Sequence, residues 1–195
     1  MSGLRLGVLV SGGGTNLQSI IDATLNGMLQ SQVVCVISNK QDAYGLERAR
    51  KHNIRDYFIN PKEGNYDQTL LDILVKEEVD LVVCAGYLKI IDKGLIEAFP
   101  RRIINIHPSL LPKFGGMGYY GIHVHEAVIE AHEKESGATV HYIDTGVDTG
   151  EIILQKKLDV LENDTPKSLQ ARILDQIEHH IFVEAIKKLE GEGEV

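Results

Sequence analysis

Short apolar runs alternate with segments of helical periodicity along most of the chain. Between the apolar runs, hydrophobic residues recur at helical spacing, as at Leu17, Ile20 and Ile21, which predicts amphipathic helices. The apolar runs themselves predict buried strands. They cover residues 4–10, 33–38, 55–59, 80–85, 102–106, 136–143 and 151–156, and a final helix is predicted to begin at Thr165.

This alternation predicts an α/β fold, a single doubly wound domain whose mostly parallel sheet is flanked by helices, with a Rossmann-like N-terminal half. The run at 80–85 is almost wholly apolar, as expected of a parallel strand that is covered on both faces. Ligands of such sheets bind beyond the carboxyl ends of the strands. Residues 1–190 are expected to form the domain, and the acidic, glycine-containing residues 191–195 a frayed tail.

Composition narrows the class of protein. The chain has 195 residues, of which 43% are hydrophobic and 25% charged, which suits one well-packed core. A net charge of −8 without a basic run argues against nucleic acid or an anionic membrane as a partner. No secretory signal peptide or membrane-spanning run is recognisable, and Cys35 and Cys84 lie in apolar runs, so a cytoplasmic location with buried thiols is expected.

A glycine-rich loop follows the first predicted strand. Gly12, Gly13 and Gly14 precede Thr15 and Asn16, where a helix begins. Glycines let several backbone N–H groups point at one anion near the positive end of a helix. A dinucleotide fingerprint would need a third glycine where Leu17 stands, so the pattern favours a monophosphate site. A tight strand-to-helix turn without a ligand is the alternative.

The predicted strand at 102–106 ends in a polar pair, Asn105 and His107. Alternate side chains of a strand share a face, so the two should point the same way. Pro108 cannot donate to a β-ladder and disfavours helix before it, so the strand should end here. An amide beside an imidazole suits an oxyanion formed by attack on a carbonyl. The alternative is a strand end with a capping Asn and a partly buried His.

Two longer segments decide between these interpretations. The segment Asn105-Ile-His-Pro-Ser-Leu-Leu-Pro112, with His141-Tyr-Ile-Asp-Thr-Gly-Val-Asp148-Thr-Gly150, resembles the signature of the folate-dependent formyltransferases. The resemblance extends from about Leu6 to the final helix. It implies 10-formyltetrahydrofolate as formyl donor, no metal, and, by its closest pattern, the amine of glycinamide ribonucleotide as acceptor. A monomer or weak homodimer is expected.

The resemblance also implies a role for individual residues. Asn105, His107 and Asp148 would be catalytic, with Asp148 rather than Asp144 as the catalytic carboxylate. The residues implied to bind the ribonucleotide are Gly12, Gly13, Gly14, Thr15, Asn16, Gly86, Pro108 and Glu178. Those implied to bind the folate are Leu88, Lys89, Ile90, Ile91, Ile143 and Asp144. For Glu178, a simple solvent-facing position is the alternative.

The implied reaction is attack of an amine on a formyl carbon. Asn105 would donate a hydrogen bond to the developing oxyanion, and a protonated His107 would stabilise it further. Asp148 would raise the pKa of His107 and help to relay a proton, through an ordered water. The glycine-rich stretch 113–121 is longer than in the family pattern and is expected to act as a flap.

Three other functions are the alternatives to this reaction. A formyltetrahydrofolate deformylase would carry a further N-terminal domain, for which a first strand at residue 4 is expected to leave no room. A methionyl-tRNA formyltransferase would add a C-terminal domain that binds tRNA. A non-catalytic nucleotide-binding or folate-binding module is the third alternative. His123, His125 and His132 lack the spacing of a metal site and are expected to be surface or capping residues.

Overall fold

The computed structural model describes residues 3–192. The strands are β1 (Arg5–Val10), β2 (Gln32–Ser38), β3 (Arg55–Phe58), β4 (Leu81–Cys84), β5 (Ile103–His107), β6 (Glu135–Tyr142) and β7 (Ile152–Asp159). The α-helices are α1 (Thr15–Leu25), α2 (Tyr44–Lys51), α3 (Tyr66–Lys76), α4 (Lys93–Ala98), α5 (Ile122–Glu130), α6 (Pro166–Ile173) and α7 (His179–Glu192). A π-helical turn, Leu174–Glu178, joins α6 to α7.

Within this range the strands form one seven-stranded sheet in the order β3-β2-β1-β4-β5-β6-β7. The pairs from β3 to β5 are parallel, whereas β5 with β6 and β6 with β7 are antiparallel. The prediction of a mostly parallel α/β sheet is therefore confirmed. The carboxyl ends of β1, β4 and β5 lie at one edge, where the predicted site residues follow them.

Hydrophobic clusters cover both faces of the sheet. Along β1, Leu6, Val8 and Val10 pack on one face, while Leu9 packs on the other, as the two-residue repeat of a strand requires. The first face is covered mainly by α1 and the C-terminal helices, and the second by α3 and α4. No helix within residues 3–192 is both long and apolar enough to cross a bilayer.

Helix starts follow their local sequence. The Asp92 carboxylate accepts a hydrogen bond from the Gly94 amide at the start of α4. Thr165 caps α6 and forms a reciprocal capping box with Ser168, with Pro166 in the first helical position, as the sequence predicts. The sequence predicts one final helix from Thr165, whereas the structure has a π-helical turn between α6 and α7.

The C-terminal boundary stays a prediction. Helix α7 runs to Glu192 and so includes the first two residues of the expected tail. The remaining residues, 193–195, lie outside the described part of the chain.

Gly7 lets α3 and the segment after it pack directly against β1. A Cβ at Gly7 would lie 2.8 Å from Leu74 Cδ2 and 2.9 Å from Val79 Cγ2, so Gly7→Ala overpacks the core. We expect it to lower the free energy of unfolding by about 1–3 kcal/mol, measured by urea denaturation. Gly64→Ala is the matched control, because nothing lies within 4 Å of its Cβ position. Equal stability of the two variants would contradict the close packing.

Candidate active site

Asn105 and His107 lie at the carboxyl end of β5 and line a cavity of about 880 Å³. They occupy alternate positions of the strand, so their side chains share a face as predicted. Pro108 also lines the cavity and follows the last residue of β5. A cavity of this size lies within the range that holds small-molecule ligands.

Asp148 reaches the same cavity from the loop between β6 and β7. Its Oδ2 lies 3.5 Å from His107 Nδ1, and its Oδ1 lies 3.6 Å from His141 Nε2. The Gly116 amide donates a hydrogen bond to Oδ2 at 3.0 Å. The backbone of Asp148 is left-handed, with φ 58°, a conformation that Asp tolerates better than most residues. The structure thus brings Asn105, His107 and Asp148 together.

The hydrogen bonds of His107 assign its protons. Its Nε2 lies 2.7 Å from the Phe114 carbonyl oxygen, an acceptor only, so Nε2 carries a proton and donates to it. The nitrogen that can gain or lose a proton is therefore Nδ1, which faces Asp148. The hydrogen bond to the Phe114 carbonyl fixes the orientation and the tautomer of the His107 ring, as a carbonyl partner does for many functional histidines.

The charge state of His107 differs from the sequence-based expectation. Burial lowers the pKa of His107 below its ordinary value of 6.5, although the Asp148 carboxylate and the Phe114 carbonyl raise it. The carboxylate acts in the expected direction, but it is outweighed because the ring is buried and His141 adds a second imidazole nearby. His107 is consequently neutral at neutral pH in this conformation.

Asp148, by contrast, keeps its charge. Burial raises the pKa of Asp148, but the two imidazoles and the Gly116 amide lower it, so that the pKa lies below its ordinary value of 3.8. Asp144 does not take part in this cluster. Its Oδ1 accepts hydrogen bonds from Gly146 N and Thr149 Oγ1, which close the exposed turn of its own loop.

His141 belongs to the site but was not predicted from the sequence as a site residue. It lies opposite Asn105 in the antiparallel β5–β6 pair, and it is 2% exposed. Its Nδ1 lies 2.8 Å from the Tyr142 carbonyl oxygen and so carries a proton. This leaves Nε2 to accept a hydrogen bond from Asn105 Nδ2 at 3.2 Å. The second hydrogen of the Asn105 amide stays available to a ligand.

His125 corrects another expectation. It was expected on the surface, but it is 1% exposed and lines the cavity from α5. Within the described chain its Nδ1 is enclosed and has no hydrogen-bond partner. Burial, followed by the nearby His107, lowers the pKa of His125 to about 4, so this imidazole is neutral. Its proximity to the cavity depends on how α5 packs, which the spacing of His123 and His125 does not reveal.

The glycine loop lies beside the cavity, at the amino end of α1. Gly12, Gly13 and Thr15 are exposed and, with the half-buried Gly14, do not line it, whereas Asn16 does. Asn16 Nδ2 donates to Glu178 Oε2 at 2.8 Å.

Glu178 ends the π-helical turn and lines the cavity with 8% exposure, so it is not the solvent-facing Glu that the sequence left open. Burial raises the pKa of Glu178, and the Asn16 hydrogen bond offsets part of that rise. Lys40 and Lys167 line the same cavity and were not predicted. Lys40 follows the end of β2 by two residues, and Lys167 is the second residue of α6. Only the tertiary fold brings these two positions to the cavity.

The segment after β4 also lines the cavity. Gly86 lines the cavity, as do all six residues predicted to bind the folate, four of them in this segment and the other two at Ile143 and Asp144. Leu88 and Ile90 are exposed apolar side chains, while Ile91 is buried. Lys89 Nζ lies 2.8 Å from Asp67 Oδ1 and 4.5 Å from the centre of the Tyr66 ring.

The expected flap forms the roof of the cavity, through residues 116–121. Its base is anchored to two of the three candidate catalytic residues, because Phe114 accepts from His107 and Gly116 donates to Asp148. Its movement as a flap stays a prediction. No group of three or more His, Cys, Asp or Glu side chains among the described residues is arranged to hold a metal ion.

The family described as Formyl transferase matches residues 4–186. The chain belongs to the formyl transferase family. The phosphoribosylglycinamide formyltransferase of Haemophilus influenzae is 42% identical to this formyl transferase over 189 residues, which cover 94% of this chain and 85% of that protein. The crystal structure of glycinamide ribonucleotide transformylase 1 from Symbiobacterium toebii is 43% identical, with a TM-score of 0.91 over 98% of this chain and 89% of that one.

Plant relatives are longer. The chloroplastic phosphoribosylglycinamide formyltransferase of Arabidopsis thaliana is 43% identical over 187 residues, which cover 93% of this formyl transferase and 64% of the plant protein. The chain thus spans less than two thirds of the length of the plant relatives that it matches.

The proximity of Asp148 to His107 gives a prediction about the pKa of His107 in this formyl transferase. Because the Asp148 carboxylate raises the pKa of His107, Asp148→Asn should lower that pKa further from its already depressed value. A histidine titration by NMR measures it. Glu126→Gln is the control, since Glu126 pairs with the exposed His123 and should leave the pKa of His107 unchanged. A pKa above 6.5 in the wild type would contradict the dominance of burial.

Proposed function

We propose that this formyl transferase moves the formyl group of 10-formyltetrahydrofolate to the amine of glycinamide ribonucleotide, giving formylglycinamide ribonucleotide and tetrahydrofolate, a step of purine biosynthesis. The observation that carries the proposal is the convergence of Asn105, His107 and Asp148 on one cavity. Relatives named for this activity, at 42–43% identity, support the choice of substrates.

Attack of the amine on the formyl carbon places negative charge on the formyl oxygen. The Asn105 amide has one hydrogen on His141 and a second that it can donate to that oxygen. A donor already in place costs no reorganisation when the charge develops, and such a donor contributes about 3 kcal/mol to the transition state. His141 therefore acts as the group that holds the Asn105 amide in position.

The proton path follows from the protonation states. The neutral His107 has a lone pair on Nδ1, which accepts the proton that the amine loses as its bond to the formyl carbon forms. The resulting imidazolium has its Nδ1 proton beside the ionised Asp148, whose carboxylate stabilises it, and its positive charge in turn stabilises the oxyanion. As the intermediate collapses, His107 returns the proton to the departing folate nitrogen. The ring is neutral again, and no acyl-enzyme forms.

The ribonucleotide is proposed to bind on the side of α1. Its phosphate lies against the amides of the glycine loop, where neither Gly12 nor Gly13 has an atom within 4 Å of its Cβ position. Its ribose hydroxyl donates to the Glu178 carboxyl group, which Asn16 holds in place. Gly86 and Pro108 are proposed to contact the ribonucleotide between its phosphate and its amine. Lys40 and Lys167 add positive charge to a cavity that receives a dianion.

The folate is proposed to bind against the segment that follows β4. The pterin packs on Leu88, Ile90 and Ile91 and bonds to the backbone of that segment, which has the exposed apolar surface such a ring requires. Ile143 and Asp144 close the pocket beside it. Lys89 lies at the mouth, where an anionic part of the folate can replace Asp67 as its partner.

Assembly and location stay predictions from the sequence. We propose small molecules as the ligands, no nucleic-acid or membrane partner, a monomer or weak homodimer, and a cytoplasmic location. Sedimentation equilibrium tests the assembly, and a stable tetramer would contradict it.

The proposed activity predicts amine-dependent turnover. Mixing the chain with 10-formyltetrahydrofolate should change the folate absorbance only when glycinamide ribonucleotide is present. Turnover without the ribonucleotide would instead indicate a deformylase, because water would then be the acceptor. Binding of both compounds without turnover would indicate a non-catalytic module and would overturn the proposal.

His107→Ala and Asp148→Asn should each lower kcat by about 100-fold or more, since each removes a group that acts in the transition state. Steady-state assays measure this, with unfolding transitions as a check on the fold. His123→Ala and Asp72→Asn are matched controls, because both residues are exposed and lie outside the cavity. Turnover within about threefold of the wild type in either active-site variant would show that its role is assigned wrongly.

A further inference from the structure

Helix α2 supports the glycine loop through hydrogen bonds to its backbone carbonyls. The Gly45 amide donates to the Gly12 carbonyl at 3.0 Å, and Arg48 Nε donates to the Gly13 carbonyl at 2.8 Å. The two backbones touch at Gly14, whose φ is +68° and whose Cβ, if it had one, would lie 2.8 Å from Gly45 Cα. Two successive carbonyls of the loop are thus turned towards α2.

Because the peptide bond is planar, the directions of the Gly12 and Gly13 carbonyls also set the directions of the N–H groups that follow them. In a trans peptide the N–H points opposite to the preceding carbonyl, so the N–H groups of Gly13 and Gly14 point away from α2. Within the described residues no acceptor receives either N–H. No side chain of the loop covers them, since Gly12 and Gly13 face open space. Successive free amides of this kind form an anion-binding concavity.

Arg48 is held on three sides. Besides the Gly13 carbonyl, its NH1 donates to Gln18 Oε1 at 3.0 Å, and its guanidinium carbon lies 5.0 Å from the centre of the Tyr44 ring. A planar guanidinium can hydrogen-bond at its edge and stack on a ring with its face, whereas a lysine ammonium has neither the fork geometry nor the planar face. The geometry at the Gly13 carbonyl therefore depends on the shape of the side chain as well as on its charge.

We propose that Arg48 is a positioning residue for the ribonucleotide phosphate: by binding the Gly13 carbonyl, it holds the Gly13 and Gly14 amides in the orientation that receives the phosphate. The proposal deepens the proposed function and rests on it for the identity of the substrate. Arg48 acts through the loop and does not itself contact the reacting atoms.

The experiment compares charge-conserving variants on one helix. Arg48→Lys keeps the charge but loses the Gly13 geometry, and Arg48→Gln also removes the charge. Arg50→Lys and Arg50→Gln are the matched controls, because Arg50 lies on α2 and pairs with Asp56 at 2.6 Å, away from the loop. Gln18→Met is a milder variant that removes one restraint from Arg48. Thermal unfolding identifies any variant that fails to fold.

We expect Arg48→Lys to raise the Kd and KM of glycinamide ribonucleotide by about tenfold or more, while the Kd of the folate and kcat change by less than about twofold. Gln18→Met should give a smaller loss in the same direction. In NMR spectra, the shifts of the Gly13 and Gly14 amide protons on ribonucleotide addition should shrink in Arg48→Lys and persist in Arg50→Lys. A merely structural role would lower binding of both substrates together.

Two outcomes overturn the inference. Wild-type ribonucleotide affinity in Arg48→Lys would show that the Gly13 contact is dispensable, and equal losses for ribonucleotide and folate would show a general loss of structure. Failure of the proposed function is distinguishable, since the wild-type chain would then show no amine-dependent turnover. In that case the same titrations with ribose 5-phosphate still decide whether Arg48 orients a phosphate site.

Discussion

The partly buried carboxylate of Asp148 is the constraint on which the site depends. A carboxylate removed from water must be hydrogen-bonded and balanced by nearby polar groups, or its burial costs several kcal/mol. Here the Gly116 amide donates to it, and the imidazoles of His107 and His141 lie within 3.6 Å. Its charge therefore links β5, β6 and the glycine-rich segment that lines the cavity.

The topology of the sheet makes this convergence possible. Parallel strands as far as β5 bring the glycine loop, the segment after β4 and the Asn105–His107 pair to one edge. The change to antiparallel pairing then places His141 directly opposite Asn105. The loop between β6 and β7 leaves β6 beside the amino end of β5, where Tyr142 pairs with Ile104. It folds back over the cavity, so that Asp148 lies beside His107 and His141.

Local patterns allowed most of this to be predicted from the sequence. The strands, the capped start of α6 and the common face of Asn105 and His107 follow from periods of two and 3.6 residues, which are properties of neighbouring positions. The neutral state of His107 and the burial of His125 could not be predicted in this way. Both depend on how much water is excluded by elements distant in sequence, and desolvation acts against the local effect of a nearby carboxylate.

The π-helical turn depends both on the local sequence pattern and on packing against distant elements. Leu169, Ile173, Ile177 and Ile181 are all buried, at a strict spacing of four. A regular α-helix turns every 3.6 residues, so such a repeat would drift off the core unless the helix widened, and it widens at Leu174–Glu178. The turn keeps the four apolar residues inward while it directs Glu178 towards Asn16 on α1. One local change in helical winding therefore serves two purposes: it keeps the core packed, and it places the Glu178 carboxyl group in the cavity. The cavity can in this way include residues from α1 and from the helices near the C-terminus.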